Sequence, residues 1–103
     1  MIIIGSDLVA CEPVFLAEFS PKNLNSKCNF MIISSVKEAL IANANGVKFI
    51  VCDRLKLAKK LQKLADDYLF DSKIALIISS DKELKRAANR RIDAVIYKNI
   101  IRS

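Results

Sequence analysis

Five short apolar runs alternate with amphipathic stretches along this chain, and that alternation limits the fold more than any other feature. The runs are Ile2–Ile4, Phe30–Ile33, Val47–Cys52, Ile74–Ile78 and Ala94–Tyr97. They are apolar on successive residues instead of every second one, as strands covered on both faces are. Runs of that kind, separated by helical patterns, mark repeated βα units and a parallel sheet. A chain of 103 residues has room for one such domain, spanning 1–103.

The intervening helices are placed by their ends. Ser35-Val36-Lys37-Glu38 reads as a capping box that opens a helix through Ala39, Leu40 and Ala42, and Gly46 ends it. Ser80-Asp81-Lys82-Glu83 reads as a second box, opening a helix through Leu84, Ala87 and Ala88. Between them Leu57, Ala58, Leu61, Leu64, Ala65 and Tyr68 recur at helical spacing on one face. Pro13 suits the first turn of a short helix through Phe19, and Ser20–Asn29 reads as a loop. The expected fold is a small three-layer, doubly wound α/β domain of flavodoxin-like type. Its mostly parallel five-stranded sheet takes the order 2-1-3-4-5. The expected core includes Ile3, Ile32, Phe49, Val51, Leu61, Leu76, Ile78 and Val95.

Composition closes several chemistries. The chain has no histidine, which removes Ser-His-Asp catalysis, imidazole acid–base work and histidine metal ligation. Cys11, Cys28 and Cys52 are odd in number and widely spaced, so neither a disulfide framework nor a C-x-x-C site is expected. Cys52, inside an apolar run, reads as a small buried hydrophobe. Gly5 stands alone near the first strand, whereas dinucleotide and P-loop cradles need several glycines. No metal or cofactor is expected. No run approaches the roughly 20 residues of a membrane span, and Met1 leads straight into Ile2-Ile3-Ile4 without a basic region. A cytoplasmic location without membrane attachment follows as the expectation. The net charge of +6 favours anionic partners.

Three runs end on residues that can do chemistry: Asp53 after Cys52, Ser79 after Ile78 and Lys98 after Tyr97. In open parallel sheets the ligand crevice lies at the carboxyl edge of the strands. The order acid–hydroxyl–lysine resembles the receiver domains of bacterial response regulators, and Lys37-Glu38-Ala39-Leu40 is similar to that family's second helix. The resemblance implies Asp53 as phosphoryl acceptor, Ser79 as switch hydroxyl and Lys98 as the phosphate-contacting cation. An aspartyl nucleophile needs such cationic stabilisation of developing charge. Receivers carry an acidic pair after strand one that binds magnesium; here that stretch is Gly5-Ser6-Asp7, with Asp7 alone acidic. The family's final helix is also missing, so the resemblance is to a degenerate receiver. The alternative has Asp53 capping the next helix, Ser79 filling a turn and Lys98 solvated.

A second pattern lies on the helices. Lys56, Lys59, Lys60 and Lys63 stand opposite the apolar face of the third helix, and Lys82, Lys85, Arg86 and Arg90 do so on the fourth. Neighbouring helices would join these eight cations into one basic face, a footprint for a phosphate backbone. A solvated charged surface is the competing explanation. Ser80–Arg91 is also similar to a segment of the kink-turn-binding ribosomal protein family, though Lys85 and Asn89 stand where that family has glycine.

The leading expectation is therefore a non-enzymatic regulatory or protein-interaction module of receiver-like fold. The alternative is a nucleic-acid-binding module that uses the basic face of the third and fourth helices. Both sheet faces are apolar, yet helices two to four should cover one, leaving residues 12–19 for the other. Several hundred Å² would then stay bare, so a homodimer is expected, with Ile100 and Ile101 near the contact. Folding of Ser20–Asn29 over that face is the intrachain alternative.

Overall fold

In the computed structural model, which describes residues 1–8, 13–26 and 28–102, the apolar runs all become strands. The elements in chain order are β1 (Ile2–Ile4), β2 (Val14–Phe15), β3 (Ala17–Glu18), α1 (Pro21–Asn25), β4 (Phe30–Ile32) and α2 (Val36–Ala44). They continue with β5 (Phe49–Cys52), α3 (Leu55–Tyr68), β6 (Lys73–Ile78), α4 (Asp81–Asn89) and β7 (Ala94–Tyr97). A 3-10 turn, Lys98–Ile100, leads into β8 (Ile101–Arg102). The result is an α/β fold with a parallel sheet, as the alternation of patterns predicts.

The sheet has six strands in the order β1-β7-β6-β5-β4-β3, every neighbouring pair parallel. This corrects the expected five-stranded 2-1-3-4-5 arrangement. Ile2–Ile4 lies at an edge, in register with Ala94–Ile96, instead of between the strands at 30–32 and 49–52. The Ile2 N–H donates to Asp93 O at 2.9 Å. Ile2 is exposed, and Ile3 and Ile4 are half-buried, as on an edge strand; β5 is buried throughout. Three consecutive isoleucines look alike at an edge and at a centre, which is why the run did not reveal its place.

From β4 to β7 each strand is followed by a helix and then by its immediate neighbour in the sheet. Repeated right-handed crossovers in one direction put their helices on one face. Alternate residues of each strand accordingly serve two cores. Met31, Ile33, Ile50, Cys52, Ile74, Leu76, Ile78 and Val95 pack with Ala39, Ala42, Ala58, Leu61, Ala65 and Ala87 of the helices. Alanines at most of these helix positions let the helices approach the sheet closely. On the far face Phe49, Val51, Ala75, Ala94 and Ile96 pack with Val14, and with half-buried Leu16, Phe30, Ile77, Ile100 and Ile101.

That far face is covered by a second, two-stranded parallel ladder in which Val14 is level with Ile101 and Phe15 with Arg102. A strand ladder thus stands where double winding would place a helix. Val14–Phe15 and Ala17–Glu18 are two short strands, not the expected short helix. Residues 21–25, inside the expected loop, are α1, with Ser20 as N-cap and Pro21 in its first turn. Leu24 and Cys28 of this segment pack against the helix-side core, so it is not a lid on the far face. Ile100 and Ile101 pack within their own chain, which removes the bare flank behind the expected dimer.

Phe49, Val51, Leu61, Leu76, Ile78 and Val95 are buried as expected. Ile3 and Ile32 are only half-buried, because β1 and β4 lie near the sheet's margins. Tyr68, the last residue of α3, is exposed. Cys11 lies outside the described residues. Among the described residues no helix is long and apolar enough to cross a membrane.

Candidate functional site

Strand register decides which edge residues meet. Cys52, Leu76, Val95 and Ile3 are level across β5, β6, β7 and β1. Ser79 and Lys98 directly follow the paired Ile78 and Tyr97, and Ser6 lies two residues past the end of β1, beyond the carboxyl ends of three adjacent strands. Asp53 is one residue past Cys52 and therefore two residues short of Ser79 in the β5–β6 register.

The connections leaving this edge diverge. The chain after β6 enters α4 on the helix side, whereas the chains leaving β7 and β1 lead to the ladder on the opposite face. Divergence of this kind opens the ligand crevice of a parallel sheet. A crevice of about 1190 Å³ lies here. Asp7, Ser79 and Lys98 all line it, so three of the four edge residues expected from the sequence converge. Its walls also present Ser6, Ser80, Asp81, Lys85, Tyr97 and Asn99, over an apolar base that includes Ile3 and Leu84.

Asp53 does not join them. It borders a separate small cavity of about 70 Å³, with Leu55, Glu83 and Arg86. Its side chain does not cap α3 either: Arg54 is the N-cap residue and supplies no side-chain hydrogen bond. Asp7 follows β1, three strand spacings from β5, about 14 Å across the sheet. Asp7 and Asp53 therefore cannot share one divalent cation. Among the described residues no three Cys, Asp or Glu side chains gather where they could hold a metal ion.

The first turn of α4 is closed by its own acid. Ser80 Oγ accepts the Glu83 N–H at 3.4 Å, while Glu83 Oε2 accepts the N–H groups of Ser79 at 2.5 Å and Ser80 at 3.1 Å. These bonds engage the N–H groups of Ser79, Ser80 and Glu83 at the helix start. The Tyr97 hydroxyl donates to Asp81 Oδ1 at 2.5 Å, joining the end of β7 to α4. That accepted proton pushes the phenol up to about 12 from its ordinary 10.0. Sequence reasoning took Tyr97 only as the end of the AVIY run and Asp81 only as part of a capping box, and missed their pairing.

Burial pushes the Cys52 thiol up to about 12, and its S–H donates to Arg54 O at 3.8 Å. It is a packed, protonated thiol, not a nucleophile.

The eight cations of the basic face are all exposed. Arg86, Asn89 and Arg90 of α4 share a groove of about 460 Å³ with Leu55 of α3, so these two helices do adjoin. Lys85 turns the other way and lines the crevice. The expected single surface of eight therefore divides. Lys63 is paired with Asp67 at 3.3 Å, the one ion pair among the described residues. Arg86 and Arg90 line the groove between α3 and α4, and Lys56, Lys59, Lys60 and Lys82 are exposed on the same two helices.

Comparison with models of protein families, with curated proteins and with solved structures finds no match for this chain.

Proposed function

We propose that this chain is a non-enzymatic regulatory or protein-interaction module of degenerate receiver-like type, whose recognition site is the crevice at the carboxyl ends of β1, β7 and β6. The observation that carries this reading is the convergence of Asp7, Ser79 and Lys98 in one crevice while Asp53 stands outside it. The order β5-β6-β7 sets the strands that precede Asp53, Ser79 and Lys98 side by side, which supports this reading. The placement of β1 beside β7 takes Asp7 away from Asp53, so magnesium-dependent phosphoryl transfer has no shared acidic pocket. What is left is a binding edge. Lys85 and Lys98 offer cations, Asp7 offers a carboxylate, and Ser6, Ser79 and Asn99 offer neutral donors and acceptors. Such a mixed surface suits the polar side chains or terminus of a protein partner.

The test has two arms. Incubation with magnesium and a small acyl phosphate, followed by intact mass, is expected to leave the chain unlabelled. Stoichiometric labelling that disappears in Asp53→Asn would make it a working phosphoacceptor and overturn the degenerate reading. In the second arm, backbone amide shifts are followed during titration with inorganic phosphate and with the acyl phosphate. Shifts centred on Ser6, Ser79, Lys98 and Asn99, lost in Lys98→Ala, support the crevice as the recognition site. Shifts elsewhere, or none, sink it.

A further inference from the structure

We infer that the α3–α4 face, on the opposite side of α4 from the crevice, docks the phosphate backbone of a nucleic-acid duplex. Arg86 and Arg90, the latter the C-cap of α4, stand at the groove between the two helices, and Lys56, Lys59 and Lys60 on α3 and Lys82 on α4 add four exposed cations on the same pair of helices. All are exposed, and the one ion pair among the described residues engages none of them. Arg86 also borders the small cavity that Asp53 and Glu83 line. Arg86 and Arg90 are one helical turn apart and share the groove with Asn89 and Leu55. Guanidinium forks at that spacing can each hold phosphate oxygens through two parallel N–H donors, with the Asn89 amide as a neutral donor between them. The three lysines continue the charge across α3 as compact cations on flexible stems.

The chemistry of the surface selects among polyanions. An interfacial membrane helix sets large apolar side chains beside its cations. Here the exposed Tyr68 and Leu69 lie at the far end of α3, about 20 Å from Leu55. The other exposed large apolar residues, Met1, Ile2, Leu8, Phe15 and Leu40, lie outside α3 and α4. A specific protein interface needs a buried apolar or aromatic anchor at its centre, and the six positions supply none. Stacked single strands need exposed aromatic platforms, and none stands between these cations. A charged, wet, non-stacking surface matches a duplex backbone contacted without base readout.

Fluorescence anisotropy with short labelled duplexes of mixed sequence, one of DNA and one of RNA, tests this over a range of salt concentrations. Four to six phosphate contacts give a plot of log affinity against log salt with a slope of about −4 to −5. Replacing Arg86 and Arg90 together by Gln removes two contacts, flattening the slope by about 2 and weakening low-salt binding at least tenfold. Lys59→Gln with Lys60→Gln acts similarly, whereas Lys85→Gln, on the crevice side, leaves binding within about twofold. Gln keeps length and helix propensity, and unchanged circular dichroism separates lost binding from lost fold. Equal binding of the DNA and RNA duplexes identifies the shared backbone as ligand; preference for one names the source. No binding at low salt, binding indifferent to both double substitutions, or tighter binding to phosphatidylserine vesicles or oligo-dT than to duplex would overturn the inference. None of these outcomes depends on the crevice, so the two proposals stand or fall separately.

Discussion

At Gly5 a backbone angle and a packing contact exclude the same atom. Its φ is +92°, in the region that side chains disfavour, and an added Cβ would stand 2.7 Å from Ile100 Cγ2 and 2.9 Å from Ile100 Cβ. Gly5→Ala is therefore expected to cost about 2–3 kcal/mol in urea unfolding. In an Ile100→Ala background only the Cγ2 contact is removed and the 2.9 Å contact to Cβ stays, so the same change should cost less than in the wild type but more than the backbone share of about 1 kcal/mol. Equal costs in both backgrounds would show that Ile100 does not press on Gly5. Tyr97 supplies a pH prediction at the same scale. Its folded-state value of about 12 exceeds the ordinary 10.0 because the hydroxyl donates to Asp81. The stabilisation from that bond is fully present below pH 10 and is lost as pH rises through about 12. In a Tyr68→Phe background, ultraviolet titration of the remaining phenol should show the high value, and Asp81→Ala should return it toward the ordinary one. Neither effect was visible in the sequence. Gly5 could be read only as a lone glycine, because both its neighbours come from chain positions more than ninety residues away.

Among the elements, α3 and α4 are closed very differently. In α4 the reciprocal bonds of Ser80 and Glu83 form the capping box that the spacing predicted. In α2 the Ser35 hydroxyl accepts the Glu38 N–H as expected, but Glu38 reaches back to Ser34 N–H at 3.1 Å, one residue earlier. The longest helix, α3, has Arg54 at its N-cap without a side-chain bond, and Leu69 at its C-cap with φ +52°. Both residues oppose local preference, since a cation faces the positive helix end and a branched side chain sits in the left-handed region. Arg54→Ser should stabilise by about 0.5–1 kcal/mol and Leu69→Gly by up to about 1 kcal/mol, both read from thermal unfolding. A loss of stability in either would mean that these side chains make contacts that outweigh the caps. Long helices and buried strands were legible because their periodic patterns extend over many residues. The two-residue strands β2 and β3 were not, since two positions contain no period. Asp53, Ser79 and Lys98 were legible as strand ends, but their relative heights depend on register, which no single run contains.

At the scale of the whole molecule, the far face of the sheet decides whether the chain can remain single. Phe49, Val51, Ala75, Ala94 and Ile96 form an apolar floor that no helix among the described residues covers. Its roof is the β2–β8 ladder with Leu16, Ile100 and Ile101, drawn from opposite ends of the chain. Sequence reasoning identified the uncovered face and the two isoleucines, yet assigned the covering to a second copy. Pairing between residues 14–15 and 101–102 depends on long-range backbone contacts that side-chain pattern does not encode. Closure by the chain itself predicts a monomer in sedimentation equilibrium at micromolar concentration. Replacing Ile100 and Ile101 together by Asp would place two carboxylates against an apolar floor, which is strongly disfavoured. The ladder should then detach and expose a contiguous patch larger than soluble monomers ordinarily tolerate. The expected outcome is concentration-dependent self-association of this variant, with the helix-side core intact and far-ultraviolet circular dichroism nearly unchanged. A wild-type dimer dispersed by the same substitution would instead assign these two isoleucines to an interface between copies. The two results differ in sign, because the charges create association when the ladder is a roof and abolish it when the ladder is a seam.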